Sequence, residues 1–295
     1  MKPKMKVAGI QIAGSDDRER NLRRAGEMIA VAAANHAKLA ILPELWAYPW
    51  FVHQLGDEAK ELAQPSDGPL IAAMREKARE HKLYLVVPFF EKDEASGLLY
   101  NSAVLLKDDG ETAGLYRKIH VPQLPGWEER HYFAPGDKGF PVFETPLGKL
   151  GIQLGWDMLY PEGLRLLALA GAEIVAAPMA VTAANDDLWQ RVALAGAFTN
   201  GLWVCRVGRV GRENDFEFAG GSLCATPTGD LLDDPAADAE GVSLWEVDRR
   251  VVPIIRRDWP LLPGRRPDQY GRLTEAVVEP APAAEPSGEE GESAT

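Results

Sequence analysis

Short apolar runs alternate along this chain with segments of helical spacing, and that alternation restricts the fold more than any other feature. Lys6–Ala13 reads as a strand. Asp17–His36 carries apolar residues at helical spacing (Leu22, Ala25, Met28, Ile29, Ala32, Ala33) behind an Asp/Ser start. Leu39-Ala-Ile-Leu-Pro is a short strand ending at Glu44, and Gly68–His81 is a helix with Pro69 in its first turn. Leu83–Glu91 is a strand, and Tyr100–Lys107 with Thr112–Lys118 forms a hairpin through Asp108-Asp-Gly. Lys149–Gly155, Pro161–Ala170 and Glu173–Pro178 make a strand–helix–strand unit. A helix over Leu188–Asn200 precedes strands at Trp203–Val207, Gly221–Ala225 and Gly241–Val247. Strands and helices in this order give a layered α/β protein.

Composition narrows the partners. Of 295 residues 46% are hydrophobic and 26% charged, which is ordinary for a globular chain with a large core. The net charge of -12 argues against nucleic acid or an anionic membrane, since both call for a basic face. Cys205 and Cys224 both sit in strand-like runs and make no disulfide framework, which fits a reducing cytoplasm. The N-terminal apolar run contains Gln11 and stops at Ser15-Asp-Asp-Arg, so it reads as a first strand and not a signal peptide. No run of 18 apolar residues spans a membrane. From about residue 276 the composition turns to Ala, Pro, Glu, Gly and Ser, a disordered acidic tail over 276–295 behind a single domain over 1–275.

Glu44, Lys118 and Gly155 each follow an apolar strand-like run. In α/β sheets functional residues gather beyond the carboxyl ends of strands. Hydrolysis at an amide-like carbon requires a nucleophile, a base and a fixed cation or amide donor for the oxyanion.

Five segments in order resemble the nitrilase superfamily of carbon–nitrogen hydrolases, nearest the N-carbamoylputrescine amidase type. Leu42-Pro-Glu44-Leu resembles the family's base segment, and Tyr116-Arg-Lys118-Ile-His its lysine segment. Pro125-Gly-Trp-Glu-Glu129-Arg-His-Tyr-Phe-Ala-Pro-Gly-Asp resembles the segment of the second glutamate. Phe218-Ala-Gly-Gly-Ser-Leu-Cys-Ala-Thr-Pro-Thr-Gly resembles the Gly-Ser strand and its turn, and Arg256-Arg-Asp-Trp-Pro with Arg265-Arg-Pro-Asp-Gln-Tyr the C-terminal segment. The resemblance implies a four-layer α/β/β/α sandwich, a homodimer or higher oligomer, and no cofactor or metal. It assigns Glu44 as general base, Lys118 as oxyanion donor, Glu129 as the group that positions substrate and lysine, and Trp156 as a backbone donor to the oxyanion.

The departure is at Gly148-Lys-Leu-Gly-Ile-Gln-Leu-Gly155-Trp156-Asp157. The family's catalytic Cys precedes Trp/Tyr-Asp; here Gly155 stands there and has no side chain to attack with. The expected function is an amidase- or carbamoylase-like site for a small amide or N-carbamoyl compound, impaired in catalysis. The alternatives are a non-catalytic binding or regulatory homologue, or a slow hydrolase using water activated by Glu44.

Other residues carry plainer readings. His120 and His131 are not at i, i+4 spacing and no Cys or Asp completes a metal site. Trp46, Tyr48, Trp50 and Phe51 line the substrate mouth or pack a loop, with nothing to separate the two. Arg206, Arg209 and Arg212, followed by Glu213, Asp215 and Glu217, read as a paired surface. Cys205 and Cys224 are fixed mid-strand, where packing keeps a thiol from replacing the lost nucleophile.

Overall fold

The computed structural model describes residues 3–276, in two compact units divided between Leu262 and Pro263. The expected acidic tail, apart from Ala276, lies outside the described residues.

In the larger unit the chain runs β1 (Lys4–Gln11), α1 (Arg18–Ala34), β2 (Ala37–Ile41), α2 (Pro69–His81), β3 (Tyr84–Lys92), β4 (Leu99–Leu106) and β5 (Thr112–Arg117). It continues through β6 (Val142–Thr145), β7 (Gly148–Ile152), α3 (Pro161–Leu169), β8 (Ile174–Met179), α4 (Asp186–Asn200) and β9 (Trp203–Gly208). A hairpin of β10 (Val210–Glu213) and β11 (Phe216–Ala219) follows, then β12 (Leu223–Ala225), β13 (Gly241–Asp248) and α5 (Val251–Asp258). The smaller unit holds 3-10 turns at Pro267–Gln269 and Gly271–Thr274.

Two mixed sheets organise the larger unit. One has the order β13-β1-β2-β3-β4-β5 and the other β12-β9-β8-β7-β6. Their centres are parallel, β1-β2-β3 in the first and β7-β8-β9 in the second, as crossover helices require. Side-chain alternation along each strand then builds three apolar layers. Ala8 and Ile10 pack with Met28 and Ile29 of α1 and Ile71 and Met74 of α2. Val7, Leu39 and Ile41 meet Ile152, Ile174 and Cys205 between the sheets. Val175, Ala177 and Val204 pack under Leu164 and Leu167 of α3 and Ala193 and Ala197 of α4. The result is the α/β/β/α sandwich.

Local chemistry sets the helix ends. The Asp17 side chain accepts from Arg20 N at 2.9 Å and caps α1. Pro69 and Pro161 occupy the first turns of α2 and α3, where a missing N–H costs nothing. Gly201 closes α4 in the left-handed region at φ 56°.

Three pieces escape the sequence pattern. Strand β6 and the β10–β11 hairpin are short and half polar. Helix α5 carries Pro253 in its first turn, and α4 starts two residues before the expected Leu188. The three cations near β9 are not a paired surface: Arg206 and Arg209 are fully buried, the first paired with Asp186 and the second with Glu213. Cys205 and Cys224 face each other across β9 and β12 with Sγ atoms 3.7 Å apart.

Between the sheets Gly9 of β1 has no room for a side chain: an added Cβ would overlap the Trp245 ring of β13 and stand 3.1 Å from Val207 Cγ2 of the facing β9. Gly9→Val is expected to lower stability by about 1–3 kcal/mol through overpacking. Urea denaturation checks this; an unchanged midpoint would show that the sheets separate there without cost.

Candidate active site

Three strand ends deliver the site. Glu44 lies just beyond β2, Lys118 just beyond β5, and Gly155 beyond β7. Glu129 comes from a 3-10 turn, Glu129–His131. Lys118 Nζ donates to Glu44 Oε1 at 2.8 Å and to Glu129 Oε1 and Oε2 at 2.9 and 2.7 Å. All three charged side chains are buried, so the sequence-expected cluster converges.

Two carboxylates share one ammonium here, and burial decides how they titrate. Burial opposes charge on Lys118, but Glu129 and Glu44 more than offset it and hold the ammonium well above the ordinary lysine range. Burial, with Glu44 repelling, raises Glu129 to about 7 against the pull of Lys118. A group of this kind changes protonation near neutrality.

Gly155 opens a 3-10 turn, Gly155–Leu159, with Leu154 still extended before it. Its φ of 43° lies in the left-handed region, which glycine adopts without strain. Asp157 holds the turn: it accepts from Tyr116 Oη at 2.6 Å and from His120 N and Nδ1 at 2.8 Å. That ties the turn to the lysine segment and gives His120 a structural partner. A Cβ on Gly155 would overlap Glu44 Oε2 and stand 2.9 Å from Glu44 Cδ and Oε1. The Glu44 carboxylate therefore fills the space a nucleophile's first carbon would take.

Glu44, Lys118, Glu129, Gly155 and Trp156 line a cavity of about 150 Å³. Its remaining walls are Leu124, Trp127, Ala180, Val181, Thr182, Asn185 and Trp189. Trp156 meets Trp189 edge to face, ring centroids 6.1 Å apart. Among the described residues no group of His, Cys, Asp and Glu could hold a metal ion. His131 instead lies 3.1 Å from Asp57.

Sequence reasoning missed several supports. Asn101 in β4 donates Nδ2 to Glu44 Oε1 at 2.8 Å, and its carbonyl accepts from Lys118 N at 2.8 Å. Its signal was an amide inside the apolar run Leu99–Leu106. Arg209 donates to the carbonyls of Leu45 and Tyr48 at 3.1 and 2.8 Å and pairs with Glu213. It thereby fixes the loop after Glu44, where Leu45 is held at φ 49°. Trp46, Tyr48, Trp50 and Phe51 are buried in the layer under α1 and α2 and do not line the cavity, which settles their reading as loop packing.

Comparison with known proteins agrees with this arrangement. The carbon-nitrogen hydrolase family model matches residues 6–257. An N-carbamoylputrescine amidase of Solanum lycopersicum is 34% identical over 90% of this chain and 93% of its own length. A citrullinase of Francisella tularensis is 31% identical over 91% of this chain and 98% of its own. The crystal structure of a carbon-nitrogen hydrolase from Helicobacter pylori superimposes with a TM-score of 0.89 at 31% identity, covering 93% of this chain and all of that one. The chain belongs to the carbon–nitrogen hydrolase, or nitrilase, superfamily, and its relatives include amidase- and carbamoylase-like enzymes.

Glu129 gives the site a pH signature. Its folded value lies above its unfolded value of 4.5, so the folded state holds that proton more tightly. The stability this adds is complete below 4.5 and is lost as pH rises towards and through about 7. Across that window the native chain should lose stability relative to Glu129→Gln, by an amount on the order of a few kcal/mol. Thermal melts of both proteins from pH 4 to 8 measure the difference; parallel curves would refute the shift.

Proposed function

We propose that this chain binds a small amide or N-carbamoyl compound beside Lys118 and is impaired in the acyl-enzyme chemistry of its family. One observation carries the reading: a buried ammonium clamped between Glu44 and Glu129 lines a cavity that Gly155 also lines. A carbonyl oxygen placed against Lys118 would find the donor such a substrate needs. Glycine at 155 supplies no covalent attack, and catalytic groups that act as a unit fail together when one is removed. The names of the relatives, N-carbamoylputrescine amidase and citrullinase, support a carbamoyl-type ligand. Slow hydrolysis by water activated at Glu44, or a purely regulatory binding role, are the second readings.

Two further assignments belong here. The exposed apolar side chains Leu159, Tyr160, Leu166 and Leu169, on and just before α3, with Leu188 on α4, offer a face for a second copy of the chain. Light scattering is expected to give a dimer or larger species, and a monomer at micromolar concentration would remove that assignment. Two free thiols at 3.7 Å are at home in a reducing cytoplasm. Among the described residues no helix is long and apolar enough to cross a membrane.

Binding is tested by thermal shift with simple amides, N-carbamoyl amines and N-carbamoyl amino acids. A ligand at one hundred times its Kd adds about 2.7 kcal/mol of stability. At least one class is expected to raise the Tm, while ammonia release by the native chain stays far below about 1 s⁻¹. Gly155→Cys must push the Glu44 carboxylate aside and strain the turn, so it should melt lower yet release ammonia at least about tenfold faster. Turnover by the native chain at ordinary enzymatic rates would sink the impaired reading. Absence of any shift would sink the pocket.

A further inference from the structure

The two oxygens of Glu44 stand in different surroundings. Oε1 accepts from Lys118 Nζ and from Asn101 Nδ2, each at 2.8 Å. Oε2 lies against Gly155, where a side-chain carbon at that position would have been, and both residues line the cavity. One oxygen anchors the carboxylate while the other faces the place of attack. With glycine at 155 no side chain stands between that oxygen and the cavity.

The geometry points to Glu44 as the covalent acyl acceptor of this site, with small activated acyl esters as the substrates it turns over best. This rests on the cavity binding acyl or carbamoyl compounds, as proposed above. In the first step Glu44 Oε2 forms a bond to the acyl carbon, and the carbonyl electron pair moves onto its oxygen. Lys118 is the charged donor available to that oxyanion. Collapse breaks the bond to the leaving group, which departs with its electron pair and takes a proton from the Glu129 carboxyl. The products are a mixed anhydride on Glu44 and a free alcohol or phenol. Water then adds to the anhydride, gives one proton to Glu129 and keeps the other on the released acid, and Glu44 returns as carboxylate. No oxidant, metal or second substrate enters.

The chemistry selects the substrate class. A carboxylate is a weaker nucleophile than a thiolate, so the leaving group must depart readily, as a phenol does and an amide nitrogen does not. The cavity volume of about 150 Å³ matches one that elsewhere encloses a benzene ring, and Leu124, Trp127 and Trp189 give it apolar walls. Glu129, raised to about 7, still carries a proton to donate near neutrality. Aryl esters of short acids satisfy every one of these demands.

The native chain is mixed with p-nitrophenyl acetate, quenched in acid and mapped by peptide mass spectrometry, with and without hydroxylamine. An acetyl adduct, or with hydroxylamine a hydroxamate, on Glu44 is expected. Glu44→Gln should lose the modification and at least about tenfold of the ester hydrolysis. That variant keeps an oxygen for Lys118 and Asn101, and its response to ligands in a thermal shift shows whether the cavity survives. Ester turnover with no modification of Glu44 would assign it to water activation and overturn the covalent role. No turnover in a chain that still binds amide or carbamoyl ligands overturns the covalent role alone. No turnover and no binding overturn this inference together with the function proposed above.

Discussion

The clamp of Glu44 and Glu129 on Lys118 is the interaction on which the rest of the site depends. Desolvating three charges is costly, and the attraction between them offsets that only when geometry is close and the remaining polar atoms are satisfied. The chain meets both conditions through neighbouring elements. Asn101 supplies a second donor to Glu44, and its own carbonyl fixes the backbone of Lys118. Arg209 reaches from beyond β9 to the carbonyls after Glu44. Residues from both sheets are thereby committed to holding one ammonium. A cluster that costs this much to bury is poorly explained as scaffold, because apolar residues of similar volume would stabilise the same space at least as well.

Gly155 changes what that clamp does. In a site with a thiol, the carboxylate would act on a neighbour's proton. Here the turn still exists, held by Asp157 to Tyr116 and His120, and the glycine sits in the left-handed region at its start. The turn is thus held by Asp157 and by glycine's freedom at positive φ. The space beside the Gly155 Cα is taken by the end of Glu44, whose carboxylate a Cβ at 155 would overlap.

The fold was legible because both of its periodicities are strong. Central strands are apolar in long runs, β3 from Tyr84 to Phe90 and β8 throughout, as strands covered on both faces must be, and α1 and α2 show one apolar stripe. What escaped was marginal in pattern and secured by tertiary contact: β6, the β10–β11 hairpin and the eight residues of α5. The charged site residues were legible because each stands just past an apolar run or within a motif of fixed order. Asn101 and Arg209 were not, because a polar residue inside or beside a strand announces nothing until its partner across the fold is known. Arg206 and Arg209 were read as surface cations for the same reason: their carboxylates and carbonyls are distant or indistinct in sequence, and only burial shows that they are structural.

Contacts among the buried charges also organise the site without a side chain at residue 155. The positions of Lys118 and Glu129 are set by each other, by Asn101 and by strand ends, and none of these contacts passes through residue 155. The charge clamp and the turn at residue 155 are therefore held by separate sets of contacts: the clamp by Asn101 and the paired charges, the turn by Asp157 with Tyr116 and His120. Residue 155 adds no side chain to that clamp, so chemistry at this cavity falls to the groups that the clamp already holds in place.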